Sequence, residues 1–153
     1  MATLTTTVIE QLTLNGTQRG STNVISTDGI NDVTERVVSC TQGQLTTIGV
    51  FGTSNHSSAG AIDVENTKYI RVTNLSTTDT IFLGIRCVTN ICPQVSIRPG
   101  GSFIIFAGED ALATAIDGET SVPTFESFKD ISSLIVKPAA STDCQVELFV
   151  ALS

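Results

Sequence analysis

The chain has no tryptophan, one tyrosine and a single histidine in 153 residues. Sugar rings are held by stacking on exposed aromatic faces, and those are scarce here. The lone histidine, His56, sits in the polar loop TSNHSSAG. A general base must be oriented by a rigid neighbour, and a Ser/Gly-rich loop offers none. No G-x-S-x-G elbow occurs anywhere in the chain. The Gly-rich stretch GVFGTSNHSSAG lacks both the lysine and the following helix of a phosphate loop.

Positive charge is also scarce. Lys and Arg number 8 against 15 Asp and Glu, for a formal net charge of −7. The basic residues run from Arg19 to Lys137 with no two adjacent. Nucleic-acid affinity requires clustered Lys and Arg on phosphates, so a nucleic-acid partner is excluded. An anionic membrane surface is disfavoured for the same reason. No apolar run approaches the roughly 20 residues of a membrane-spanning helix. The start, MATLTTTVIEQ, has no basic stretch followed by an apolar one, so synthesis without Sec-type export is expected.

Acidic pairs do occur, as Glu109 with Asp110 and Asp117 with Glu119. Neighbouring acids on a turn do not produce the carboxylate separation that glycoside hydrolysis requires. The run EDALATAIDGE also lacks the alternating oxygen ligands of a dedicated calcium loop. These residues read as solvated turn positions. The four cysteines are Cys40, Cys87, Cys92 and Cys144. Cys87 and Cys92 are separated by four residues, a loose match to metal-ligand spacing or to a local disulfide. With one histidine in the chain, the reading adopted is small buried hydrophobes, reduced in the absence of export. The fold is therefore expected to survive reductant and chelator. No catalytic, cofactor-binding or metal-binding residue is assigned, and the chain is not expected to be an enzyme.

What the chain does contain is alternation. In KYIRVTN, Ile70 and Val72 share one face, while Tyr69, Arg71 and Thr73 share the other. In TIFLGIRC, Ile81, Leu83 and Ile85 oppose Phe82, Gly84 and Arg86. At the other end, Cys144, Val146, Leu148, Val150 and Leu152 oppose Gln145, Glu147, Phe149 and Ala151. A period of two with β-branched residues is the pattern of strands. The turn NLSTTD predicts a hairpin between the first two runs. VTERVVSC and LTTIGVFG read as two more strands around TQGQ. IRPGGS is a turn in which Pro99 presets φ and Gly100 or Gly101 takes positive φ, and SFIIFAG after it is a strand. About eight short strands, with turn signals every 8–15 residues or so, predict an all-β, antiparallel β-sandwich with a jelly-roll-like winding. EDALATAI could add a short helix.

Residues 1–30 differ. They are rich in Thr, Asn, Gly and Ser, with Asn-Gly and Asp-Gly turn signals. They read as an extended N-terminal arm or edge hairpin, with the sandwich spanning residues 31–153. The predicted core is Ile70, Val72, Ile81, Leu83, Ile85, Ile104, Leu134, Val136, Val146, Leu148 and Val150. A sandwich needs one apolar face per sheet. This chain supplies more: Phe82, Phe103, Ile105 and Phe149 fall opposite core positions and are the predicted interface residues. Surplus apolar surface of this kind marks contact with another subunit.

The stretches TKYIRVTNLSTTDTIFLGI, SIRPGGSFIIF and CQVELFVALS together resemble small β-sandwich virion proteins of tailed bacteriophages, across roughly Lys68 to Phe106 and Ser132 to Leu152. That resemblance implies a capsid decoration (cement) protein, homotrimeric and bound to the major capsid protein. Its place would be the capsid surface of a virion, after synthesis in the host cytoplasm. The competing expectation is a receptor-binding or adhesin-like module of a phage tail or cell surface, acting through loops such as Gly52–Gly60.

Overall fold

Period-two alternation with one apolar face is satisfied when two sheets press those faces together. The computed structural model describes residues 1–54, 60–87, 92–113 and 127–153 and contains this arrangement. In chain order the described strands are β1 (Ala2–Ile9), β2 (Leu12–Leu14), β3 (Thr17–Arg19), β4 (Thr22–Ile30), β5 (Asp32–Cys40), β6 (Thr46–Gly52), β7 (Ile62–Asp63), β8 (Thr67–Asn74), β9 (Ile81–Cys87), β10 (Gln94–Ile97), β11 (Ser102–Ile105), β12 (Ile131–Pro138) and β13 (Cys144–Leu152). One sheet has the order β10-β9-β12-β6-β7, and the facing sheet has the order β11-β8-β13-β5. Pairing is antiparallel throughout both sheets except for the short parallel β6–β7 contact. The protein is thus an all-β antiparallel sandwich. From β5 onward the chain passes repeatedly from one sheet to the other.

The core lies between the sheets. Ile70, Val72, Ile81, Leu83, Ile85, Leu134, Val136, Val146, Leu148 and Val150 are all buried in it, joined by Ile48, Phe51, Ile97 and Ile131. β9 lies centrally, between β10 and β12, with Ile81, Leu83 and Ile85 buried and Phe82 exposed on the other face.

Two expectations are corrected. Ile104 is not in the main core. β11 pairs with β8 so that Phe103 is opposite Val72, Ile104 opposite Arg71 and Ile105 opposite Ile70. Phe103 and Ile105 therefore pack inward on the core, whereas Ile104 joins a second cluster with Tyr69 and Phe149. NLSTTD is also not a hairpin turn. β8 and β9 lie in different sheets, so the segment is an arch between them, and the same holds for β5, TQGQ and β6. Asn74 pins the arch. Its Nδ2 donates to the carbonyls of Asp79 (2.8 Å) and Ile97 (3.1 Å), and its Oδ1 accepts from the Ser76 amide (3.0 Å). At IRPGGS the positive φ falls on Gly100, at 69°. EDALATAI forms no helix among its described residues, and Leu112 bridges to Lys129. The rest of that run lies outside the described residues.

Residues 2–30 form a separate two-stranded ribbon. β1 pairs with β4 from Ala2↔Ile30 to Ile9↔Thr22, and β2 pairs with β3 from Leu12↔Arg19 to Leu14↔Thr17. The tip turns at Asn15 (φ 50°) and Gly16 (φ 75°). Two successive positive φ values match the right-handed twist of a hairpin, and Asn-Gly adopts them at low cost.

Candidate functional site: an apolar arm and the outer sheet faces

The ribbon has strand-forming residues and no core of its own. Its Thr-rich strands supply β-branched side chains that favour extended backbone. Thr3 Oγ1 donates to Asp28 at 2.7 Å and Ser21 Oγ donates to Glu10 at 3.2 Å across the strands. At about 3.4 Å per residue the ribbon reaches roughly 45 Å from its base. Only the base is covered. Leu4 and Ile30 pack with Tyr69 and Ala151 on the outer face of the four-stranded sheet, and the Asn31 amide donates to the Leu152 carbonyl at 2.9 Å. Beyond the base, Ile9, Leu12, Leu14 and Val24 are each more than half exposed. Pairing register puts Val8 and Ile25 toward one face of the ribbon, and Ile9 and Val24 toward the other.

The outer face of the four-stranded sheet carries an aromatic cluster beside this base. The Tyr69 ring meets Phe106 and Phe149 edge-on, at centroid distances of 5.7 and 6.0 Å. The Arg71 guanidinium lies 5.3 Å from the centre of the Phe149 ring and is ion-paired with Glu147. Tyr69 is only 4% exposed, so it is a packing residue. Phe149 is half-buried there, whereas Phe106 and the edge-strand residues Val33 and Val37 are exposed.

The outer face of the five-stranded sheet holds a groove of about 280 Å³ lined by Leu45, Phe82, Gly84, Gln94, Ile135 and Lys137. Gly84 is its floor. A Cβ at that position would stand 2.7 Å from Ile135 Cγ1 and 3.3 Å from Cys92 Sγ, so the missing side chain is what lets Ile135 lie across the strand. Phe82 is 43% exposed at the rim. Of the four residues singled out in sequence, Phe82 and Phe149 lie on the outer faces of different sheets. Phe103 and Ile105 are directed into the core.

Polar groups serve the turns. Asp63 is buried and accepts from the Glu65 amide (3.1 Å) and from Asn66 Nδ2 (2.8 Å). Nothing in the sequence distinguishes it from a surface acid. Asp79 Oδ2 accepts from Thr142 (2.7 Å) and Thr78 (2.8 Å), and these bonds hold its carboxyl below the usual aspartate range. A lowered folded pKa stabilises the protein above the unfolded value of about 3.9, and that contribution is lost as pH falls through the folded value. The gap in urea midpoint between the parent and Asp79→Asn should therefore be open near neutral pH and close in acid below about pH 4. A gap that stays constant into acid would show that the charge plays no part.

Among the described residues no three His, Cys, Asp or Glu converge as metal ligands. His56, Asp117 and Glu119 lie outside the described residues, as does most of the loop considered for adhesion. Cys40 and Cys144 face each other across β5 and β13, and burial raises both thiol pKa values. Cys87 is buried, whereas Cys92 is half-buried beside Gly84.

No family model matches the chain, and no curated protein matches it. A solved structure from work on Bacillus endospore appendages, described there as a novel family of disulfide-linked pili, aligns with 83% of this chain and 93% of that chain at 9% identity and a TM-score of 0.36. A likeness that loose carries no inference about what the chain does.

Proposed function

We propose that the chain is a structural protein rather than an enzyme, and that it works by assembling with copies of itself at the surface of a virion. The arm is the observation that carries this reading. An isolated two-stranded ribbon is at best marginally stable in water and requires a third strand or a packing surface. This ribbon exposes Ile9, Leu12, Leu14 and Val24, and nothing among the described residues covers them. A neighbouring copy offers apolar surface in the groove lined by Leu45, Phe82 and Ile135, with Lys137 as its one charged lining residue. Closed cyclic symmetry is the rule for homo-oligomers, and the phage resemblance favours a trimer. The same resemblance supports the finer reading of a capsid decoration (cement) protein whose other partner is the major capsid protein.

Light scattering on the full chain should give a stable oligomer, with three copies expected. Leu12→Asp with Leu14→Asp changes only the exposed part of the arm, and Phe82→Asp changes only the groove rim. Each should dissociate the oligomer while leaving cooperative urea unfolding in place. A chain lacking residues 1–30 should bind capsids more weakly. A monomeric parent at micromolar concentration would overturn the assembly claim, and capsid binding unaffected by the deletion would remove the role given to the arm.

A further inference from the structure

We propose that Cys40 and Cys144 are a disulfide site, closed by a small-molecule disulfide such as oxidised glutathione, that ties edge strand β5 to the central strand β13. The site is independent of the assembly reading. β5 and β13 pair over nine residues without a bulge, and Cys40 is directly opposite Cys144 at one end of that ladder. Opposed residues in an antiparallel pair have Cα atoms about 4.5 or 5.5 Å apart, depending on the site. Both spacings fall inside the roughly 4.4–6.8 Å window of disulfides. Both side chains point to the same side, into the same core, and both are buried.

At present each thiol is turned along its own strand. Cys40 Sγ donates to the Val38 carbonyl and Cys144 Sγ to the Thr142 carbonyl, each at 3.9 Å. Thiols are weak donors, so rotating both about χ1 to face one another gives up little. The other two cysteines differ: Cys87 ends β9 and Cys92 precedes β10, so no strand ladder sets them opposite one another.

The exchange balances. One thiol loses its proton and attacks oxidised glutathione, releasing one glutathione thiolate and leaving a mixed disulfide. The second thiolate attacks that sulfur and releases the other glutathione. Two protein thiols become one disulfide, and one glutathione disulfide becomes two thiols. The thiolate is the reacting species. Burial holds both groups protonated in the folded chain, so closure belongs to folding, before the core seals. The bond then anchors the far end of the strand that leads directly out of the arm.

The test is to refold the full chain with oxidised glutathione, block free thiols under denaturing conditions and map peptides by mass spectrometry. The expected result is a Cys40–Cys144 linked peptide two hydrogens lighter than its parts, with Cys87 and Cys92 blocked. A Cys87→Ala/Cys92→Ala variant should still form the bond, and its thermal midpoint should rise in oxidant relative to reductant. Full blocking of all four cysteines, a bond through Cys87 or Cys92, or a link only between chains would overturn the assignment.

Discussion

Leu83→Ala should lower the free energy of unfolding by about 2–5 kcal/mol, the range for emptying a leucine site in a packed core. Leu83 has no exposed surface. It sits on β9, flanked by Val95 on β10 and Val136 on β12, and it faces the opposite sheet. Paired strands on both sides keep the backbone from closing over the gap, because any shift of β9 would break two ladders at once. The upper half of the range is therefore expected. Reversible urea unfolding measures it, and a loss under about 1 kcal/mol would place Leu83 outside a packed core.

Asn74→Ala should cost about 2 kcal/mol or more, a large effect for a polar residue in a turn. Its amide satisfies two carbonyls and one amide from two segments of chain, the arch itself and the end of β10, and Asn74 itself has no exposed surface. Each buried polar group left without its partner costs about 1–3 kcal/mol. Asn74→Asp adds a pH signature. An ionised carboxylate would face two carbonyl oxygens, whereas a protonated one can still donate to one of them. Burial raises the pKa of such a group, so the folded state binds the extra proton and the deficit grows as pH rises above about 3.9. Equal stability of Asn74→Ala and the parent would mean that Asn74 is not the pin of the arch. A pH-independent Asn74→Asp deficit would mean that the carboxyl does not titrate there.

Sequence carried the strands where one face was plainly apolar and the other plainly polar. β8, β9 and β13 could be phased residue by residue because aliphatic residues recur at every second position, Ile70 and Val72, Ile81, Leu83 and Ile85, and Val146, Leu148 and Val150, while the intervening positions are mostly polar or small despite Phe82 and Phe149. β11 could not. Phe103, Ile104, Ile105 and Phe106 are all apolar, so period two has no phase, and only the ladder to β8 decides which pair turns inward. NLSTTD had turn chemistry that serves a hairpin and an arch equally well. What separates them is the bond from Asn74 to the Ile97 carbonyl, 23 residues away, which no local pattern encodes. The exposed groove was half legible: Phe82 declared itself by alternation, while Leu45 and Ile135 come from distant strands. The Cys40 and Cys144 pairing was not legible, because it depends on β5 and β13 being neighbours.

The position of β13 also governs the order in which the protein can be made. It lies between β5 and β8, so the four-stranded sheet has a vacant centre until residues 144–152 have emerged from the ribosome. The ribbon of residues 2–30 involves only contacts close in sequence and can close early. The sandwich depends on pairings such as Asp32 with Leu152, and long-range pairings of this kind fold slowly. During synthesis β5 and β8 are therefore exposed edges awaiting the same late strand. A ribosomal pause that delays residues 144–152 would prolong that exposure and favour pairing between nascent chains on one messenger.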